Sequence, residues 1–203
     1  MVTAIPGLLA PGALAPLAVR PVVPAGLRVL GLDLSLTSTG VALPDGTTYR
    51  IKTRAKDGDR RLLHIRDCIR DDLAEHRPHL AVIEDLPKHA MSAGITAHVH
   101  GVVKCELLDA GVPYTTIVPA TLKSYACDKG NADKPEMAAA AYLAAGVEFA
   151  DDKGGDQADA WWLRAAAHHH YDAWLFTLPQ AQIDRLCKVE WPALADFVSG
   201  VPA

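Results

Sequence analysis

The sequence lacks several features that would assign it to a specialised class of protein. It has four cysteines, Cys68, Cys105, Cys127 and Cys187. They form no CxxC pair and have no histidine at metal-ligand spacing, so neither a disulfide framework nor a zinc site is predicted. The net charge of the 203 residues is only −4, and the total charge therefore points to no class of partner. We expect one domain with reduced thiols and a cytoplasmic location.

The chain also lacks a long hydrophobic run that is free of proline. Residues 1–26 are apolar, but five prolines interrupt them. Each proline removes a backbone donor and clashes with the preceding helical turn, which argues against a membrane span. No basic segment precedes the apolar stretch, as it would in a signal peptide. We therefore predict a flexible N-terminal tail over residues 1–26.

Strand and helix patterns alternate after this tail. The apolar run VLGLDLS predicts a buried strand that ends near Asp33, and two further strands are predicted around the turn PDG. Apolar residues then recur on one face of a predicted helix over 58–76, which Pro78 ends. HLAVIEDL predicts a second buried strand that ends in acid, at Glu84.

The remaining patterns complete a mixed α/β fold. They predict, in order, a helix in SAGITAHVHGVVKCELLDAG, a strand in PYTTIVP, a short helix from Ala120, and helices in PEMAAAAYLAAG and GDQADAWWLRAAAHHHY. Three hairpin-linked strands followed by alternating helices and strands predict a mixed sheet with helices on its faces. Strand ends are where chemistry collects in such sheets.

Four acidic residues are candidates for a metal site at those strand ends. Asp33 and Glu84 end strands, and Asp156 and Asp159 project from one face of a helix start after a glycine pair. Carboxylates placed close together repel one another unless they share a cation. Ligation by oxygen alone favours Mg²⁺, with Mn²⁺ as a substitute, over zinc. Two such ions about 3.5–4 Å apart activate a water and stabilise the leaving oxygen of a phosphodiester.

The motifs GLDLSLTSTG, VIEDLP and GDQADAWWLRAAAHH resemble the acid motifs of RuvC-type Holliday junction resolvases, which belong to the RNase H-like nuclease superfamily. The resemblance covers residues 28–171 and implies an RNase H-like mixed sheet flanked by helices. It implies an Mg²⁺-dependent crossover junction endodeoxyribonuclease of DNA recombination and repair, which resolves four-way or branched DNA by paired hydrolysis. The metal-binding tetrad that it implies is Asp33, Glu84, Asp156 and Asp159.

The same resemblance implies further site residues and partners. Lys123 in PATLK and Lys134 in GNADK match segments that carry lysines near the scissile phosphate. The implied dimer contact lies on the helix that contains Gly101, where small residues let a second helix approach, so we expect a homodimer. The ending of the chain resembles bacteriophage-encoded relatives, which implies a bacterial or phage-infected host cytoplasm.

The chain departs from the family pattern after the second acid. Bacterial members carry an aromatic residue there that helps to open the junction centre, whereas this chain has Pro87 and His89. The domain organisation that we expect is the tail, a nuclease domain over 27–171, and a helical extension over 172–203 that packs on it.

Several features have more than one interpretation. The basic segment from Arg50 to Arg70 is either a phosphate-binding patch or the solvated face of a hairpin and helix. Asp151 and Asp152 either compete with Asp156 for the third ligand position or form a solvated acidic turn, and the second interpretation is preferred. The run His168–His170 is interpreted as surface. Trp161, Trp162 and Trp174 are interpreted as packing residues rather than as platforms for base stacking.

Two rival functions are also considered. GLDLSLTSTG resembles the first phosphate motif of sugar kinases and actin-like ATPases, but those proteins need a second lobe with a second copy, which the chain does not show. A catalytically inactive DNA-binding member of the fold is the other alternative. The presence of all four acids argues against it.

Overall fold

The computed structural model describes residues 26–86 and 93–194. Within these ranges one sheet contains five strands: β1 (Val29–Asp33), β2 (Ser38–Ala42), β3 (Thr48–Lys52), β4 (Leu80–Glu84) and β5 (Tyr114–Ile117). The α-helices in the same ranges are α1 (Arg60–His76), α2 (Ala93–Asp109), α3 (Pro119–Cys127), α4 (Lys134–Ala145), α5 (Asp156–His170) and α6 (Gln180–Ile183). Short 3₁₀ helices span Ala55–Asp57 and Asp184–Lys188.

The sheet has the strand order β3-β2-β1-β4-β5. The first three strands form an antiparallel meander, and β4 and β5 continue the sheet parallel to β1. Leu32 pairs with Ile83, so the next residue of each strand, Asp33 or Glu84, lies at the same edge of the sheet. This arrangement confirms the predicted mixed sheet and places two of the candidate acids on adjacent parallel strands.

Helices cover both faces of the sheet. The helices α1 and α2 pack on one face, where Leu30, Leu32 and Ile83 join a core with Ile65 and Val99. The helices α3, α4 and α5 form the core of the other face. Almost all of α5 is buried, so this helix is the centre of its layer.

Two glycines of the first motif let α5 lie directly on the sheet. A Cβ atom at Gly31 would lie 2.1 Å from the carbonyl oxygen of Ala160, and one at Gly40 would lie 1.9 Å from that of Asp156. Real side chains do not fit at such distances, because the helix backbone occupies the space. The glycines therefore bring the first turn of α5 within reach of Asp33.

The chain after α5 returns over the face that contains α3. Leu186 and Leu194 are buried in the core of that face. The Thr115 hydroxyl in the edge strand β5 donates a hydrogen bond of 2.6 Å to the carbonyl of Glu190. Residues 172–194 thus cover α3, the end of α5 and part of the sheet edge. The residues beyond 194, like the N-terminal 1–25, lie outside the described ranges.

The histidine run differs from its prediction. His168 and His169 are buried, so their interpretation as surface residues is wrong. His168 Nδ1 lies 3.1 Å from the carbonyl oxygen of Ala173, and His169 Nε2 lies 3.0 Å from that of Phe176. The segment that follows α5 folds back over these rings, which a helix considered alone does not indicate.

In the described part of the chain, no helix has the length and apolar character needed to cross a membrane.

Candidate active site

The four predicted acids meet at one end of the sheet. Asp33 ends β1, Glu84 ends β4, and Asp156 and Asp159 lie in the first turn of α5. The Lys134 ammonium lies among them: its Nζ is 3.6 Å from Asp33 Oδ2 and 3.8 Å from Asp156 Oδ1. It also donates a short hydrogen bond to Asp159 Oδ2. One cation therefore contacts three of the four carboxylates.

Local structure fixes Lys134 in this position. It is the first residue of α4, directly after Asp133, whose side chain accepts a hydrogen bond from Glu136 N in a capping box. Gly155 has a φ of +69°, and a Cβ atom there would lie 2.6 Å from Lys134 Cδ. The second glycine of the GGD motif therefore provides the space through which the lysine side chain reaches the acids.

The pKa values of Asp33 and Glu84 are both raised. Burial, together with repulsion from Asp159 and Asp156, outweighs the attraction of Lys134 and raises the pKa of Asp33 to about 7. Burial, followed by repulsion from Asp33, raises the pKa of Glu84 well above its usual range. A hydrogen bond in which Glu84 donates and Asp33 accepts follows from these directions. Both carboxyl groups therefore hold a proton more readily than a free carboxyl group does.

The carboxylate of Asp159 is the most deeply buried of the set, with 2% of the residue exposed. Burial raises its pKa although Lys134 opposes the shift. Its second oxygen, Oδ1, is buried and has no hydrogen-bond partner among the described residues. A buried carboxylate oxygen without a donor is costly, so this atom fits a ligand that the protein itself does not provide.

The sequence analysis missed Ser38. Its hydroxyl at the start of β2 donates a hydrogen bond of 2.6 Å to Asp156 Oδ2 and so orients that carboxylate. The residue lies in the first motif, GLDLSLTSTG, but a serine after a strand more often forms a local turn contact. Only the pairing of β2 with β1 shows that its side chain faces α5.

Lys123 lies farther from the centre than Lys134. It is a half-buried residue of α3, and its charge helps to oppose the rise in the pKa of Asp159. Among the described residues it forms no hydrogen bond or ion pair with the four acids. Of the two lysines that the resemblance implied, the structure places only Lys134 in direct contact with carboxylates.

Asp152 is not the solvated acid that the sequence suggested, because it is buried and contacts the start of α5. Its side chain is 4% exposed, and Oδ2 accepts hydrogen bonds of 3.0 and 3.1 Å from the backbone N–H groups of Gln157 and Ala158. It therefore caps the start of α5. Arg50 lies against it, with Nε 3.7 Å from Oδ1. The first turn of α5 is therefore held by the hydrogen bond from Ser38 to Asp156 and by those from its own backbone to Asp152.

The carboxylate oxygens of the cluster suit a hard divalent cation, although the Lys134 ammonium now lies among them. In the described ranges no three His, Cys, Asp or Glu side chains are arranged to hold a metal ion as they stand. The cluster nevertheless offers oxygen atoms alone, and Asp159 presents an unpartnered one. Such ligands suit Mg²⁺ or Mn²⁺, which would compensate the repulsion that Lys134 now compensates.

The chain shares this architecture with known proteins. It is 30% identical over 181 residues to crossover junction endodeoxyribonuclease RuvC of Saccharopolyspora erythraea, across 83% of this chain and 86% of that protein. It is 31% identical over 125 residues to RuvC of Salinispora arenicola, across 56% of this chain and 71% of that protein. No protein-family profile matches the chain.

A solved structure shows the same fold. Thermus thermophilus RuvC in complex with a Holliday junction substrate superposes with a TM-score of 0.60 and 22% identity, over 72% of this chain and 94% of that one. The mixed sheet and its helical layers are therefore those of an RNase H-like protein. Taken with the relative that matches most of the chain, this shows that the protein belongs to the RuvC family of crossover junction endodeoxyribonucleases.

Proposed function

We propose that the protein is a metal-dependent endonuclease that resolves four-way or branched DNA junctions by paired phosphodiester hydrolysis, in a bacterial or phage-infected cytoplasm. The observation that carries this proposal is the buried cluster of Asp33, Glu84, Asp156 and Asp159 around a single cation in a RuvC-family chain. We propose these four acids as the metal ligands, and Mg²⁺ as the metal.

Each residue of the cluster has a definable task in that reaction. Bound divalent cations would activate a water and stabilise the leaving oxygen of the phosphodiester. Asp33 and Glu84 would hold such cations as charged carboxylates, because ligation favours the charged form. Ser38 holds Asp156 in orientation, and Asp152 fixes the start of α5. The Lys134 ammonium lies among these carboxylates and would oppose the negative charge that develops on a bound phosphate.

Cleavage assays test this proposal directly. The protein, with Mg²⁺ or with EDTA, is incubated with a synthetic four-way junction, a flap, linear duplex and single-stranded DNA, and ATP hydrolysis is measured in parallel. We expect paired nicks in the junction that require the metal, and no ATPase activity. Full cleavage in EDTA would contradict the metal mechanism. ATP hydrolysis without cleavage would instead favour the actin-like alternative.

We also propose a homodimer that pairs two active sites across the junction. One face of α2 packs inward through Val99, Val103 and Leu107. The opposite face leaves Gly94 and Gly101 open, with no atom within 4 Å of a Cβ atom at either position, and Ile95 is 55% exposed. Small residues beside an exposed isoleucine permit close approach of a second α2 helix.

Replacing Gly101 with arginine should separate the protomers. The added side chain blocks the close helix contact but meets nothing within the protomer, so the fold should persist. We expect the mass measured by light scattering to halve and paired nicks to give way to single ones. A matched control is Ala145→Arg, which adds the same side chain at an exposed position of α4. A wild-type protein that is monomeric without DNA and still cuts in pairs would refute the preformed dimer.

A further inference from the structure

The basic segment from Arg50 to Arg70 divides into two sets in the structure. Arg50 lies against Asp152, as described above. The Nη2 atom of Arg70 lies 2.6 Å from Glu106 Oε1, and Arg66 Nε lies 3.8 Å from the same oxygen. The charges of these three arginines are therefore compensated within the fold and are not available to a partner.

Four of the five other lysines and arginines of the segment surround a cavity of about 290 Å³, which we call the basic pocket. It is lined by Lys52, Thr53, Arg54, Asp57, Arg60, Arg61 and His64. Four cations thus face a single carboxylate. Lys52, Arg54 and Arg60 are exposed, and none of them forms an ion pair within the described ranges. Cations gathered in one concavity repel one another and create a positive potential that attracts an anion.

The basic pocket lies beside the candidate active site. Lys52 in β3 pairs with Ser38 in β2, the residue whose hydroxyl orients Asp156. Directly opposed residues of antiparallel strands project on the same face of the sheet, so Lys52 lies on the side of α5. The axes of β1 and β3 are two strand spacings apart, which is about 10 Å. The pocket then continues around the edge of β3 to the start of α1.

We propose that the basic pocket binds a backbone phosphate of the DNA strand that leaves the active site across the edge of β3. This inference rests on the proposed nuclease function and adds a DNA contact outside the active site. Along the axis of a duplex arm, where each strand carries one phosphate per 3.4 Å, a separation of about 10 Å corresponds to roughly three nucleotides. Guanidinium groups bind phosphate oxygens in a bidentate manner, and Arg54 and Arg60 are uncommitted. The contact positions the strand and carries no sequence information.

The test variant is the double substitution Arg54→Gln and Arg60→Gln. We expect its affinity for a four-way junction to fall about ten-fold at 0.1 M salt, and the slope of log K against log salt to decrease by about 1 to 2. Single-turnover cleavage at saturating protein should stay within about two-fold of wild type, because the catalytic acids are untouched. The melting temperature should not change, since neither side chain is packed.

The matched control is Arg28→Gln with Arg77→Gln. These arginines precede β1 and β4 and lie at the opposite end of the sheet, so the control removes the same charge far from the proposed strand path. We expect it to bind the junction as wild type does. If both double variants lost affinity equally, the effect would depend only on the total charge of the protein. The proposed phosphate site in the basic pocket would then be wrong. Unchanged binding in the test variant would overturn it as well.

A neutral methylphosphonate linkage locates the contact on the DNA. It is placed in turn at the second to fourth phosphate on either side of the cleaved bond. At one position near the third phosphate, we expect it to weaken wild-type binding about ten-fold and to leave the Arg54→Gln, Arg60→Gln variant unaffected. This readout also holds if that variant is unstable, because a wild-type protein insensitive at every position refutes the pocket. A wild-type protein that neither binds nor cuts junctions would instead refute the nuclease function itself.

Discussion

The two ends of α5 place ionisable side chains in buried or half-buried surroundings with opposite consequences. At the first turn, Asp156 and Asp159 join Asp33 and Glu84, and an oxygen of Asp159 has no partner among the described residues. At the last turn, Tyr125 Oη lies 2.5 Å from His169 Nδ1, and Phe176 meets the ring from another side. At the first turn, Lys134 favours the charged form of the acids against the effect of burial, whereas the histidines at the last turn are neutral and packed.

The difference shows that burial alone does not mark a functional group. Burial lowers the pKa of His168 to about 4 and lowers that of His169, so both rings stay neutral and behave as large packing groups. Lys134 opposes the loss of charge at the acidic end, because its attraction lowers the pKa of Asp159 against the effect of burial. A cluster of like charges that is only partly compensated is what singles out the first turn as the site.

The largest effect is expected from Asp33→Asn, which removes one charge from the acidic end and keeps its shape. Cleavage of a four-way junction should fall by at least about 10²–10³-fold, the range seen when one electrostatic group of an active site is lost. Junction binding, measured by gel shift in Ca²⁺, should remain within about three-fold, because phosphate contacts elsewhere carry it.

The matched control is Asp151→Asn, an equivalent change in the loop before α5. Asp151 has a φ of +56°, a left-handed conformation that asparagine accepts, so the fold should be unchanged. We expect full cleavage by this variant. If Asp33→Asn lost binding together with cleavage, Asp33 would be a structural residue and the comparison of the two ends would fail.

The next largest effect is expected from Lys134→Ala. In the proposed mechanism the lysine compensates the acids before metal binds and opposes charge at the phosphate during cleavage, so the single-turnover rate should fall about 10²-fold and junction binding by less. Lys129→Ala is the control, because that lysine lies in the loop before α4 and pairs with Glu136 at the surface. An unchanged single-turnover rate in Lys134→Ala would show that this residue takes no part in cleavage.

The acids and the sheet were predictable because their signals are local. An acid that ends an apolar run, as Asp33 and Glu84 do, indicates a strand end, and parallel strands bring such ends to one edge. The spacing of Asp156 and Asp159 indicates one face of a helix. The strands, helices and turn that these patterns predicted are present within the described residues, whereas Pro87 and His89, where the family aromatic is replaced, lie outside them.

The supporting contacts were not predictable because they join segments far apart in the chain. Ser38 and Asp156 are separated by 118 positions, and the partner of Arg50 lies about a hundred residues away. The burial of His168 depends on the segment that follows α5 and folds back over it. Propensity and periodicity describe neighbours in sequence, and such contacts depend on the assembled tertiary structure instead.

A third substitution, Gly40→Ala, tests whether the sheet must approach the acidic end of α5 so closely. The new methyl group would meet the Asp156 carbonyl, so the helix has to move or the fold loses about 1–3 kcal/mol. We expect a melting temperature lower by roughly 2–12 °C and a marked loss of cleavage. Ala145→Ser, at an exposed position of α4, should change the melting temperature little. If Gly40→Ala left the melting temperature and cleavage unchanged, α5 would not pack closely against β2 at Gly40.

The smallest effect is a pH dependence of opposite sign at the two ends, measured as the free energy of unfolding in EDTA between pH 8 and pH 5. At the acidic end, the pKa of Asp33 is raised to about 7 in the folded protein from a usual value of 3.8. The folded state therefore binds this proton more tightly than the unfolded state, so the stability that Asp33 contributes is greatest at low pH and is lost as the pH rises through 7. At the other end, the pKa of His168 is lowered from 6.5 to about 4, so its contribution is present above pH 6.5 and is lost as the pH falls towards 4.

Two variants separate these opposing contributions. Asp33→Asn should remove about 2 kcal/mol of the stability that the wild type gains between pH 8 and pH 5, and should also abolish stabilisation by Mg²⁺ at pH 8. His168→Gln, whatever its effect on stability at pH 8, should remove about 2 kcal/mol of the loss over the same interval, and Mg²⁺ should stabilise it as it does the wild type. Parallel pH profiles for the wild type and both variants would mean that neither end titrates in this range. The contrast between a charged end and a neutral end of α5 would then be wrong.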